Sequence, residues 1–232
     1  MPDYRYEANP PALHKFFGAD WEWKWPDEDE SLAGDMPTLL DVDQYVFSHL
    51  PKNRMSVCVQ AGGAVGVWAK RFAQVFDVVY TFEPNPTSFH CLCTNAPELN
   101  VVKMNAALGE DHALIRMDFP EHRARSRVGK ENIGGYRVFQ GGYVPTLRLD
   151  DLELPSLDLL FLDIEGYELF AVRGALETIK RCRPYIVLED KPGCCRQFGY
   201  NQGDIERQLL HPIGYRTAQR FHGGRDVLVV PS

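Results

Sequence analysis

The sequence predicts one α/β domain with a seven-stranded, mostly parallel sheet over residues 51–232, preceded by an extension over residues 1–50. Three observations carry this. From Met55 onward, short apolar runs alternate with segments of helical period, as in a sheet covered by helices. Several runs are apolar throughout, as strands buried on both faces require. The last two are separated only by a short, Gly-punctuated stretch, which predicts an antiparallel hairpin at the sheet edge.

The elements follow in order. Trp21, Trp23 and Trp25 alternate with charged residues before the acidic run Asp27–Glu30. This describes an irregular arm whose indoles pack on the domain, or a lid or dimer contact, since Trp favours interfaces. Residues 41–50 read as a short helix. Met55–Val59 is the first strand and ends at Gln60. Val65, Trp68, Ala69, Phe72 and Phe76 then recur at helical spacing. Val78–Phe82 and Val101–Met104 are the second and third strands. Residues 113–119 and 137–139 read as two further strands around a Gly- and Arg-rich loop. Residues 157–162 form the fourth core strand, and Leu169, Val172, Leu176 and Ile179 mark one helix after it. Residues 184–188 form the fifth strand, and a last helix spans 204–210. The edge hairpin takes in Gly214–Arg216 and Asp226–Val230.

Composition excludes several classes. The 232 residues are 44% hydrophobic, ample for a core, and the net charge of -7 argues against a general nucleic-acid or anionic-membrane binder. No apolar run approaches the roughly 18 residues that span a bilayer. The start Met1-Pro2-Asp3-Tyr4-Arg5 lacks a secretory pattern, so the expected location is the cytoplasm and the six cysteines are expected to be thiols. Cys91-x-Cys93 and Cys194-Cys195 lack the spacing of a zinc site.

Ligands of such sheets bind at the carboxyl ends of the strands. The first strand ends in Gln60-Ala61-Gly62-Gly63-Ala64-Val65-Gly66. Absent side chains let a ligand approach this backbone, and the next helix begins with N–H groups to offer. Glu83 ends the second strand about 20 residues later, where a carboxylate accepts both hydroxyls of a ribose. The two features together predict a nucleoside-containing ligand, a dinucleotide or S-adenosylmethionine. The dinucleotide pattern G-x-G-x-x-G is incomplete, with Ala61 at its first position. The hairpin also suits the sheet of a methyltransferase better, which favours adenosylmethionine and a Rossmann-like fold.

The motifs resemble those of the FkbM-type methyltransferases over roughly residues 55–230. The Gly-rich turn, Glu83-Pro84-Asn85, Asn105-Ala106-Ala107-Leu108-Gly109, Thr146–Leu152, Asp163-Ile164-Glu165-Gly166-Tyr167-Glu168 and Arg183–Glu189 fall in that family's order. The resemblance implies adenosylmethionine as cofactor and methylation of a hydroxyl, often on a sugar or natural product. It extends the cofactor-binding candidates to Gln60, Gly62, Gly63, Gly66, Glu83, Asn85, Asn105 and Ala106. Gln60 departs from the family, which usually has Asp there to help hold the ammonium end of the cofactor. A neutral amide forms weaker bonds by about 1 kcal/mol. That departure keeps open a non-catalytic binding protein on the same fold, and a nucleotide-linked oxidoreductase is a more distant alternative.

Methyl transfer needs an acceptor oxygen held in line and a base for its proton. Asp163 is the candidate base, with Glu165 as a second catalytic candidate. Glu165 and Glu168 are expected in the first turn of the following helix, where the dipole favours carboxylates. A divalent cation on Asp163 and a neighbouring carboxylate is the less favoured alternative. The basic segment Glu121–Lys130 predicts a mobile loop for an anionic small-molecule acceptor. His90, His112, His122 and His222 have no partner identifiable from sequence.

Overall fold

The computed structural model describes residues 3–27, 42–118 and 137–232. Its central sheet contains β1 (Val57–Ala61), β2 (Val78–Phe82), β3 (Val101–Met104), β4 (Leu159–Leu162), β5 (Tyr185–Glu189), β6 (Tyr215–Phe221) and β7 (Asp226–Pro231). Their order is β6-β7-β5-β4-β1-β2-β3. β7 alone runs against the direction of the other six strands, so the expected mixed sheet with its edge hairpin is what the chain forms.

Alternate residues of each inner strand enter different cores, which is why these runs carry no polar face. Val59, Ala61, Leu160, Leu162, Ile186 and Leu188 pack with Leu169, Val172 and Ile179 on one side. On the other, Cys58, Val79, Leu159, Phe161 and Val187 meet Val46, Ala69, Phe72 and Phe76. Asp158 sets the register at the amino end. Its carboxylate accepts the Ser56 and Val57 amides at 2.8 and 3.1 Å and pairs with Arg54 at 3.2 Å. From β1 the chain builds outward through β2 and β3, then crosses to β4 on the other side. The crevice at that reversal, between the carboxyl ends of β1 and β4, is where such sheets bind ligands.

The longer helices are α1 (Val67–Ala73), α2 (Pro86–Asn95), α3 (Glu168–Arg173) and α4 (Leu176–Cys182), and shorter helical segments include Asp43–Phe47 and Glu206–Leu210. α2 is absent from the sequence expectation. The single helix expected over Leu169–Ile179 is broken at Gly174. A Cβ there would lie 1.9 Å from the Gly109 carbonyl, and Gly174 gives its own carbonyl to the Asp150 amide at 2.9 Å. The interrupted region forms a separate small sheet of Ala107–Leu108, Leu114–Asp118, Arg137–Gln140 and Val144–Leu147.

The N-terminal segment is more ordered than an irregular arm. Tyr4–Ala8 and Glu22–Pro26 pair as an antiparallel hairpin, burying Trp23 and Trp25 against Leu13, Val65, Val67 and Cys91. The Asn95 side chain fastens it, accepting the Lys24 amide at 2.7 Å and donating to the Lys24 carbonyl at 2.8 Å. Lys70 Nζ sits 3.5 Å above the Trp21 ring. Among the described residues no helix is long and apolar enough to cross a membrane.

Candidate functional site

The turn after β1 is built from its glycines. Gly62 has φ +89°, and a Cβ there would lie 1.9 Å from the Asp163 carbonyl oxygen. A Cβ on Gly63 would meet Leu92 Cδ1 at 2.5 Å and Thr81 Oγ1 at 2.9 Å. Side chains at these positions would separate β1 from β2 and from the end of β4. The turn spends its amides internally. Gly62 and Gly63 donate to the Phe82 carbonyl at 3.0 and 2.9 Å, and Gly66 donates to Gly63 at 2.8 Å.

Glu83 closes the other side. Its Oε2 accepts the Ala64 amide and its Oε1 the Asn85 amide, each at 2.7 Å. Burial pushes the carboxyl up to about 7 even though both bonds favour its ionised form. Asn105 supports it from just beyond β3, donating to the Glu83 carbonyl at 2.8 Å.

Turn, Glu83 and the end of β4 open onto one cleft of about 340 Å³. Gly62, Gly63, Glu83, Asp163 and Glu165 all line it, as do Ala64, Pro84, Ala107 and Leu108. The remaining candidates stand behind its wall. Gln60 is fully buried, donates to the Gly62 carbonyl at 2.6 Å and accepts from Thr81 Oγ1. Its amide therefore braces the turn from beneath. Gly66, at φ +96°, begins α1 against the backbone of Leu92. Asn85 caps α2 by accepting the Thr87 amide at 2.9 Å. Ala106 belongs to the apolar core.

At the far end the cleft is ionic. Burial raises Asp163 to about 6, Lys191 opposes that rise, and Glu165 and Asp226 add to it. Lys191 Nζ lies 3.2 Å from Glu165 and also pairs with Glu189. Burial alone would make Lys191 a weaker base, but Glu189, Asp163 and Glu165 together raise it. Glu165 occupies a left-handed turn at φ +53°, ahead of the helix rather than in its first turn, and accepts from Cys194 Sγ at 3.2 Å. Glu168 does begin α3 but is fully buried, accepting from the Ile164 amide at 2.9 Å and from the Tyr200 hydroxyl at 3.3 Å. Burial lifts it to about 8. Ligand atoms of Glu165, Glu189 and Cys194 lie within 4.8 Å of one another, with the Lys191 ammonium already bonded to both carboxylates.

Four residues of this end escaped the sequence reading as site candidates: Glu189, Lys191, His222 and Asp226. β5 and β7 set Glu189 opposite Asp226, and Asp226 accepts His222 Nδ1. Trp68, Phe161 and Phe221 supply aromatic surface, and Arg225 a further cation. His90 and His112 bond to Lys24 and Asp151 outside the cleft. His122 and the basic segment 121–130 lie outside the described residues.

Residues 61–217 match the model of the methyltransferase FkbM domain. Among solved structures, methyltransferase FkbM from Methylobacillus flagellatus KT is 15% identical, with a TM-score of 0.50 over 77% of this chain and 44% of that one. This chain thus spans less than half the length of that protein. SMU.1697c from Streptococcus mutans, in complex with SAH, is 12% identical, with a TM-score of 0.48 over 83% and 95% of the two chains. Magnesium protoporphyrin IX methyltransferase from Synechocystis PCC 6803, with bound SAM, is 15% identical, with a TM-score of 0.46 over 86% and 81%. At such identities the likeness is one of fold. No curated protein matches the sequence.

Proposed function

The chain belongs to the FkbM methyltransferase family, and from that premise we propose that it uses S-adenosylmethionine to methylate a hydroxyl on a small, sugar-like or natural-product acceptor. The observation that carries this reading is the single cleft, with the Glu83 carboxylate at one end and the Asp163 carboxyl group at the other. The cradle suits the cofactor. A Cβ on Gly62 or Gly63 would crowd the turn from within, and Glu83 keeps lone pairs beyond its two amide bonds for ribose hydroxyls.

When bound, adenosylmethionine supplies a methyl group already activated for transfer. The work left to the chain is to orient an oxygen and accept its proton. Asp163 fits the second task, because a carboxyl raised to about 6 is ionised at neutral pH yet basic enough to take a proton. Lys191 and Glu165 fix the charge beside it. Trp68, Phe161 and Phe221 offer flat apolar surface to an acceptor, and Arg225 favours one that carries negative charge.

Calorimetric titration with adenosylmethionine, adenosylhomocysteine and NAD tests the cofactor. Release of adenosylhomocysteine in the presence of small sugars and sugar phosphates then tests the acceptor class. Failure to bind adenosylmethionine would refute the reading. Binding with no turnover across the panel would support the non-catalytic alternative, which the fully engaged amide of Gln60 favours.

A further inference from the structure

Glu189 ends β5 with 6% of its surface exposed. Its Oε1 pairs with Lys191, and its Oε2 is buried with no hydrogen-bond donor among the described residues. Such an atom costs the fold unless a proton or a positive charge meets it. Glu189 lines the cleft, and its surroundings are strongly acidic. From β4 and the turn after it come Asp163 and Glu165, from β7 Asp226, and from α3 the buried Glu168. Against these stand Lys191 and, beside Asp226, His222. Burial raises Glu189 well above the ordinary carboxyl range, and the neighbouring acids raise it further. Asp163 and Glu165 already outnumber the Lys191 ammonium beside them, so Glu189 gives up its own proton most readily when a further positive charge arrives.

The cofactor and its product differ at one atom. The donor sulfur is a cation and the spent sulfur is neutral, while ribose, base and amino-acid groups are common to both. Resting on the cofactor reading above, we propose that Glu189, acting with Asp163, is a subsite for the sulfonium charge, holding the methyl donor more tightly than the thioether product. This assigns product release to the cleft wall: loss of the methyl group removes the charge that the wall attracts. Glu83 grips the shared ribose and cannot make this distinction.

The test is the ratio of affinities for adenosylmethionine and adenosylhomocysteine, measured by calorimetry at pH 8 without any acceptor. Wild-type protein should favour adenosylmethionine. Glu189→Gln keeps the shape and should lower the ratio by about tenfold, with adenosylhomocysteine affinity within about twofold of wild type. Lys191→Met removes the competing cation and should raise the ratio, an opposite sign that general damage to the fold would not produce. In wild type the ratio should also fall as pH drops below about 6, where Asp163 takes up its proton. Equal weakening of both ligands by Glu189→Gln, or an unchanged ratio in both variants, overturns the inference while leaving the cofactor reading intact. A wild-type protein that binds neither ligand overturns both.

Discussion

Replacing Glu83 with Gln separates what this residue costs the fold from what it contributes to binding. Burial raises the carboxyl from an ordinary 4.5 to about 7. Holding it ionised at pH 8 therefore costs the folded state about 3 kcal/mol. A neutral amide removes that cost. The amide has only one oxygen, however, whereas Glu83 serves Ala64 with one oxygen and Asn85 with the other. One backbone N–H would face an NH₂ group, a loss of about 1–3 kcal/mol. The two effects nearly cancel, so Tm should move by less than about 4 °C. Binding does not cancel. The amide keeps fewer acceptor sites for two ribose hydroxyls and loses the charge that strengthens them, a loss of about 2 kcal/mol or roughly 30-fold in Kd. Adenosylmethionine and adenosylhomocysteine should suffer alike, since they share the ribose. In wild type both should bind more tightly as pH rises through 7, because the ionised carboxylate is the accepting form. Calorimetry at pH 8 alongside thermal melting makes the comparison. Affinities within threefold of wild type in a folded variant would remove Glu83 from the site.

Three further outcomes can be checked. Asp163→Asn should lower turnover by about 100-fold or more once an acceptor is found, with Tm and adenosylhomocysteine affinity little changed; parental turnover would dismiss it as the base. Glu168, raised to about 8 by burial, binds its proton more tightly folded than unfolded, so the stability it lends is lost as pH rises from about 4.5 to 8. Glu168→Gln should flatten that decline and melt about 3–6 °C above wild type at pH 9, and identical pH profiles would contradict the assignment. Trp23→Ala empties a fully buried indole site whose Nε1 bonds Asn9 at 3.2 Å and should cost about 3–5 kcal/mol in urea unfolding. A cost below about 1 kcal/mol would mean that the N-terminal hairpin adds nothing to the fold.

Much of the sheet is legible in the sequence because strand-forming runs are bounded by breakers. Val78–Phe82 and Val101–Met104 coincide with β2 and β3. α2 was hidden by its own cap: Asn85-Pro86 is an N-cap followed by a first-turn proline, but the same residues lie in the motif beside Glu83. The break at Gly174 rests on contact with Gly109, which no local pattern contains. Gln60 was expected at the ligand surface, yet strand alternation directs it inward beside Thr81. The acidic end of the cleft was the least legible part. Glu189 and Asp226 meet only because β7 inserts beside β5, a pairing that chain order alone does not reveal.

That insertion also bears on the order of assembly. β6 and β7 are joined by the short turn His222–Arg225 and pair with each other locally, whereas their strand pairing to the rest of the sheet is through β7 alone. A locally closed hairpin of this kind can form early and dock late, and it can detach as a cooperative unit without unravelling β1 to β5. The Gly62 turn and Glu83 lie on the part that would stay folded, while His222, Arg225 and Asp226 travel with the hairpin. Native-state hydrogen exchange should therefore divide the cleft in two, with the amides of β1 and β2 opening only on global unfolding and those of β6 and β7 opening together at lower free energy. Nucleoside recognition and the charged end of the site then belong to different folding units, and a mutation can loosen the second while sparing the first.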